Sequence, residues 1–146
     1  MKLKSDLKNK IVVITGGAGL IGKGFVRAVV ENGGTAIIAD IDEISGNKVK
    51  DEISKESGTD KIEFIKVDIT SRESIQVMID AIIKKHKVID ALVNNAYPRN
   101  SNYGRRFEDV TYQDFCENVN FHLGGYFLMT QEISRVMVKQ KRGVIV

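Results

Sequence analysis

The run Thr15-Gly16-Gly17-Ala18-Gly19-Leu20-Ile21-Gly22 contains the residue types that hold a phosphate by backbone alone. Glycine admits positive φ, lets the chain turn sharply and places no Cβ between backbone and ligand. If a helix starts within the run, free N–H groups and the positive end of the helix dipole face the anion. Gly16, Gly19, Leu20 and Ile21 are therefore the candidate contacts to a pyrophosphate. Asp40 lies 24 residues beyond Gly16 and 18 beyond Gly22. A carboxylate at that distance accepts from the 2′- and 3′-hydroxyls of an adenosine ribose and repels a 2′-phosphate, which selects NAD over NADP. Asp40 and Ile41 are the cofactor-binding candidates at this point. Asp40, Asp42 and Glu43 also read as an acidic start to a helix, stabilised by its dipole, and the two readings are compatible.

Such residues need elements to carry them. Short apolar, β-branched runs at Ile11–Ile14, Thr35–Ala39, Ile62–Val67, Ala91–Val93 and Val144–Val146 predict five strands. Their lack of polar alternation suits a parallel sheet covered on both faces. Four segments of helical period lie between them. The first puts Ile21, Phe25, Val26 and Val29 on one face and ends at Asn32-Gly33-Gly34. The third opens with Thr70 and Glu73 as a capping box and carries Ile75, Met78, Ile79, Ile82 and Ile83 in one stripe. The fourth runs from about Thr111 to Lys139. This alternation predicts an α/β, Rossmann-type, doubly wound parallel sheet of five strands and four helices, with residues 1–146 forming one NAD(P)-binding domain. Ligands in such sheets sit beyond the carboxyl ends of the strands, which directs attention to Thr15–Gly22, Asp40–Asp42, Asp68–Thr70 and Asn94–Pro98.

Thr15-Gly16 with its spaced glycines, Asp68-Ile69-Thr70 after the third strand and Asn94-Asn95-Ala96 after the fourth resemble, in order and separation, the short-chain dehydrogenase/reductase family, from about Lys8 to Val146. The resemblance implies that Asp68 and Ile69 hold the adenine edge and that Asn95 and Ala96 lie beside the second ribose. It also implies hydride transfer between a nicotinamide and a hydroxyl or carbonyl group of a small-molecule substrate. Asn94 and Asn95 read equally as a strand-end turn closed by side-chain to backbone bonds.

Three departures from the family pattern stand out. The third glycine falls at Gly19 and Leu20 takes the usual glycine place, a spacing similar to that of the sugar-nucleotide branch, whereas Asn-Asn-Ala and the compact connections belong to the shorter branch. Tyr97 replaces the glycine that completes the asparagine motif. Where the family keeps a relay asparagine, seven residues after an aromatic and three before Gly-x-Phe, both Phe115 and Gly125-Tyr126-Phe127 count to His122. Histidine as a residue type titrates near neutrality and suits a proton relay. It also suits a hydrogen-bonded helix interface, and both readings stay open for His122, the catalytic candidate.

The resemblance further implies a catalytic serine and a tyrosine followed four residues later by lysine. Tyr97, Tyr103, Tyr112 and Tyr126 are followed at that distance by Ser101, Phe107, Cys116 and Thr130. The expectation is an N-terminal, truncated portion that is inactive by itself, its fifth strand an exposed apolar edge. A sugar-modifying enzyme of surface-glycan pathways is a second reading, since Asn-Ala-Tyr-Pro-Arg and His-Leu-Gly-Gly resemble members of such clusters. A non-catalytic NAD-binding or assembly module is a third.

Composition bounds the partners. With 22 Lys and Arg against 19 Asp and Glu, the net charge is +3, but the basic residues are interleaved with acidic ones rather than set in a stripe with aromatics, so no nucleic-acid partner is expected. The knots at Lys84, Lys85 and Lys87 and at Lys139, Lys141 and Arg142 read as solvated helix ends, and His86 as a dipole partner. No apolar stretch approaches a membrane span, and Met1–Lys10 lacks the apolar core of a secretory signal, so a cytoplasmic location is expected. The single cysteine, Cys116, has no metal-ligand spacing around it and reads as a small packing residue; no metal is expected. A homo-oligomer paired through the fourth helix is expected, with Phe121, Leu128 and Met129 available for it or for the core.

Overall fold

In the computed structural model, which describes residues 7–146, the strands β1 (Ile11–Thr15), β2 (Thr35–Asp40), β3 (Ile62–Lys66), β4 (Ala91–Val93) and β5 (Val144–Ile145) form one parallel sheet in the order β3-β2-β1-β4-β5. The first six residues of the stretch read for a secretory signal lie outside the described residues. Helices α1 (Leu20–Glu31), α2 (Glu43–Ser57) and α3 (Arg72–His86) link the first four strands. The fourth predicted helix consists of α4 (Tyr112–Val119) and α5 (Gly125–Lys139), joined through a π-helical turn at Asn120–Gly124. Backbone dihedrals stay right-handed helical at Val119, Asn120, Gly124 and Gly125, so the two segments form one rod. No described helix is long and apolar enough to cross a membrane.

Strand β1 is buried throughout, because it pairs with β2 on one side and β4 on the other. Its alternate residues feed two cores. Ile11 and Val13 pack with Ile75, Met78, Met129 and Ile133 of α3 and α5, while Val12 and Ile14 pack with Val26, Val29, Val49 and Ile53 of α1 and α2. This two-sided burial is the physical reason for the unbroken apolar runs. The lower ends of the sheet are tied by Asp90, whose carboxylate accepts from the Ile11 amide at 3.0 Å and lies 3.5 Å from both Lys10 and Arg142.

Several expectations shift in detail. In α1 the buried face is Gly22, Val26, Val29 and Val30, whereas Ile21 and Phe25 are exposed; Ile21 stands at the mouth of the cleft rather than on the sheet. The N-cap of α3 is Ser71, not Thr70, because the Asp68 carboxylate already takes the amide and hydroxyl of Thr70 at 2.8 and 2.7 Å. Ser71 accepts from the Ser74 amide in its place. Cys116 is exposed on α4 rather than packed. Met129 is fully buried and belongs to the core, and Leu128 packs against that core. His86 ends α3 with Nε2 2.8 Å from the Glu63 carboxylate, and Lys85 lies 2.9 Å from the same oxygen, which fastens the helix end to β3.

Candidate functional site

The strand order reverses at β1: the chain builds outward through β2 and β3, then returns to add β4 and β5 on the other side. A cleft therefore opens beyond the carboxyl ends of β1 and β4. It measures about 470 Å³, and its walls include Gly16, Gly19, Leu20, Ile21, Asp40, Ile41, Asp68, Ile69, Asn95 and Ala96. The sequence-derived cofactor candidates thus converge on one cavity. His122 is not among its walls.

The N-terminus of α1 differs from those of α2, α3 and α4. Asp42, Ser71 and Thr111 cap α2, α3 and α4 with their side chains, and each of these helices has an acid in its first turn. Helix α1 begins after Gly19 with no side-chain cap and no acid in its first turn. The first intrahelical bond runs from the Lys23 amide to the Gly19 carbonyl at 2.8 Å. The amides of Leu20, Ile21 and Gly22 therefore remain as donors beside the cleft, with the positive end of the dipole behind them. Two glycines make this geometry. Gly16 has φ +64°, and a Cβ there would lie 2.8 Å from the Ala96 Cα; one on Gly22 would lie 2.1 Å from the Gly16 carbonyl oxygen.

Asp40 reaches back from β2 to this turn. One carboxylate oxygen accepts from the Ala18 amide at 3.0 Å and the other from the Asp42 amide at 3.1 Å. A carboxylate has about four acceptor sites, so the group positions the turn and keeps capacity for a diol. Asp42, not Asp40, is the acidic cap of α2. Asn95 donates through Nδ2 to the carbonyls of Thr15 (2.9 Å) and Gly16 (3.1 Å), while the Thr15 hydroxyl accepts from the amides of Asn95 and Ala96. The asparagine therefore closes a strand-end turn and holds the Gly16 carbonyl in place. Asn94 donates to the Thr130 hydroxyl at 3.2 Å.

Tyr97 and Arg99 also wall the cleft, and Tyr97 is shared with a second depression of about 440 Å³ whose lining includes Asn102, Tyr103, Arg105, Asn118 and His122. The His122 ring stands edge-on between Tyr97 (centroids 4.4 Å apart) and Tyr126 (4.7 Å). It sits within the π turn, an insertion that often marks functional positions. Tyr97 and Tyr126 are pushed above the ordinary phenol range, the first chiefly by its hydrogen bond with Tyr103 and the second by burial. Both are neutral donors at physiological pH, not bases.

The segment between β4 and α4 is held by a network that sequence patterning did not reveal. Asp114 is buried and accepts from Asn102 (2.7 Å), Thr111 (2.7 Å) and Asn100 (2.9 Å), and these bonds hold its carboxyl down at about 2. Asn118, which the relay count passes over, exchanges hydrogen bonds with Asn100 through the Asn100 amide and side-chain oxygen, both at 3.0 Å. Its role is to hold the loop. The only available signal was the recurrence of Asn100, Asn102, Asp114 and Asn118, which is indistinguishable from a polar surface.

Comparison with known proteins gives a consistent picture. The family model of short chain dehydrogenases matches residues 10–146. The flagellin modification protein A of Campylobacter coli is 36% identical over 141 residues, covering 96% of this chain and 55% of that protein. Sorbitol-6-phosphate 2-dehydrogenase of Klebsiella pneumoniae is 34% identical over 148 residues, covering 97% of this chain and 52% of that one. Among solved structures, the 3-ketoacyl-(acyl-carrier-protein) reductase of Brucella melitensis complexed with NADH superimposes with a TM-score of 0.80 at 25% identity, over 95% of this chain and 56% of that chain. The chain spans about half the length of the curated relatives it matches.

Proposed function

The chain belongs to the short chain dehydrogenase family, and from that premise we propose that it is the NAD-binding part of an oxidoreductase that moves hydride between the nicotinamide and a hydroxyl or carbonyl carbon of a small-molecule substrate. The observation that supports the NAD preference is Asp40, whose carboxylate lines the cleft at the end of β2 and is anchored by the Ala18 and Asp42 amides. A 2′-phosphate would meet that negative charge. Gly16, Gly19, Leu20 and Ile21 supply the pyrophosphate contacts through the uncapped start of α1. Ile41, Asp68 and Ile69 border the adenine side, and Asn95 and Ala96 the second ribose. The cofactor, when bound, supplies the hydride chemistry. The chain's residues orient it, exclude water and, at His122, take part in proton relay from behind the Tyr97 ring.

No tyrosine among the 146 residues has a lysine four positions on. A positioned acid/base contributes about 10²–10⁴-fold, so this chain alone binds cofactor without measurable turnover. The substrate is a small molecule, and the sorbitol-6-phosphate relative favours a sugar derivative. The exposed stripe Phe115, Val119, Leu123 and Phe127 along the α4–α5 rod is the proposed homo-oligomer contact, in place of Met129. We place the protein in the cytoplasm. Calorimetric titration with NAD and NADP tests the cofactor reading: NAD binds more tightly, and equal affinities overturn it.

A further inference from the structure

Arg27, Arg72, Arg105, Arg135 and Arg142 each pair with a carboxylate. Neither Arg106 nor Arg99 pairs with one among the described residues, and of the two it is Arg99 that walls a cavity. Its guanidinium lies instead over the Tyr103 ring, 5.0 Å from the centroid. Stacking of this kind fixes the plane of the group while leaving its N–H donors unused. Arg99 also walls the cofactor cleft beside Tyr97, which lines both that cleft and the second depression. Tyr97 and Tyr103 meet edge-on at 5.7 Å. The loop that carries them is ordered beforehand, because Asn100 next to Arg99 is tied to Asp114, Glu117 and Asn118. The one buried carboxylate nearby, Asp114, is occupied by three donor side chains. The cleft beside Tyr97 therefore presents an oriented cation with free donors, next to the Tyr97 and Tyr103 rings.

We propose that Arg99 is the anion-recognising residue of a substrate subsite, binding a phosphate or carboxylate carried by the substrate while Tyr97 and Tyr103 wall the substrate's body. A guanidinium fork matches either group through two parallel N–H···O bonds. The proposal rests on the cofactor reading above, since the subsite matters only if the neighbouring cleft holds the dinucleotide. Tyr97 takes the place of a family glycine, so this wall belongs to this chain rather than to the family pattern.

The test uses the chain saturated with NAD and follows amide and tyrosine-ring resonances during titration with D-glucose 6-phosphate and, separately, D-glucose. The phosphate ester shifts the Tyr97 and Tyr103 signals and binds at least about tenfold more tightly than glucose, the order expected for a charge-assisted pair. Arg99→Gln abolishes that preference. Equal binding of the two sugars, binding of neither, or a preference that survives Arg99→Gln overturns the proposal. A parallel loss of NAD affinity in Arg99→Gln also overturns it, and assigns the arginine to the cofactor's own pyrophosphate. If NAD does not bind, the cofactor reading fails by itself, and the same titrations without NAD still decide the role of Arg99. A melting curve for the exposed Arg99→Gln variant identifies any loss due to misfolding, and Arg99→Lys, which keeps charge but not the fork, gives an intermediate preference.

Discussion

The carboxylate of Asp40 accepts a hydrogen bond from the Ala18 amide across 3.0 Å, so the acid that ends β2 also fixes the glycine turn that follows β1. Charge and turn geometry can be separated by Asp40→Asn, which keeps one oxygen acceptor for Ala18 and removes the negative charge. NAD affinity falls by about tenfold or more, as for loss of a charged hydrogen-bond partner, while NADP affinity rises or holds. Asp40→Ala loses both functions and adds a drop in melting temperature. Titration of both cofactors against both variants checks this; an unchanged NAD/NADP ratio in Asp40→Asn counts against the ribose contact.

Gly16→Ala and Gly24→Ala make opposite changes in neighbouring segments. At Gly16 a methyl group meets the Ala96 Cα at 2.8 Å with φ +64°, whereas at Gly24, exposed within α1, it meets nothing within 4 Å. The first substitution destabilises by about 1–2 kcal/mol from the left-handed backbone alone, with the contact adding to it. The second stabilises by about 0.5–1 kcal/mol through helix propensity. Chemical denaturation of the two variants beside the parent measures the signs; a Gly16→Ala protein as stable as the parent contradicts the geometry.

Asp114 gives a pH dependence of definite sign. Its carboxyl is held at about 2, below the ordinary value of 3.8, by Asn102, Thr111 and Asn100. Stability from that depression is fully present above about pH 4 and is lost as pH falls through about 2. Asp114→Asn should therefore be less stable than the parent at neutral pH, with the difference shrinking between pH 4 and pH 2. Denaturation midpoints across that range test it, and a gap that does not vary with pH excludes the carboxylate as its source.

His122 lies between two tyrosine rings, so His122→Ala removes packing as well as any relay function. In a chain that carries the family's tyrosine–lysine pair, His122→Ala lowers turnover per folded molecule at unchanged NAD affinity. His122→Asn restores much of the rate, because an amide can hold the same water through a donor and an acceptor, without restoring the lost ring contacts. Turnover unchanged in well-folded His122→Ala ends the relay reading, whatever the melting curve shows.

The residues whose roles could be read from the sequence share one property: their role is fixed by sequence neighbours. Ile11–Ile14 and Thr35–Ala39 could be read as strands because burial on both faces leaves no polar residue in either run, and the positions after them had to line the cleft. Roles set by distant partners were hidden. Thr70 looked like a cap until Asp68 took its donors. Ile21 fits the helical stripe by period, but the stripe is rotated toward Val30, because the N-terminal turn faces the cleft. Glu132 would not be placed in an interior by its type, yet it is buried on α5 against Arg72 of α3. The π turn at Asn120–Gly124 adds a residue to a helix whose period alone predicts an uninterrupted rod, and it sets the orientation of His122.

The bare start of α1 ties the folded population to the concentration of whatever fills the cleft. A ligand that binds only the native chain adds RT ln(1 + [L]/Kd) to its stability, about 2.7 kcal/mol at a hundredfold excess over Kd. For a protein with a total margin of roughly 5–15 kcal/mol, that is a substantial share. With Gly19 where α2, α3 and α4 carry Asp42, Ser71 and Thr111, supply of that ligand becomes a determinant of how long a molecule survives proteolysis, and depletion of its pool would shorten its lifetime before it limited any reaction.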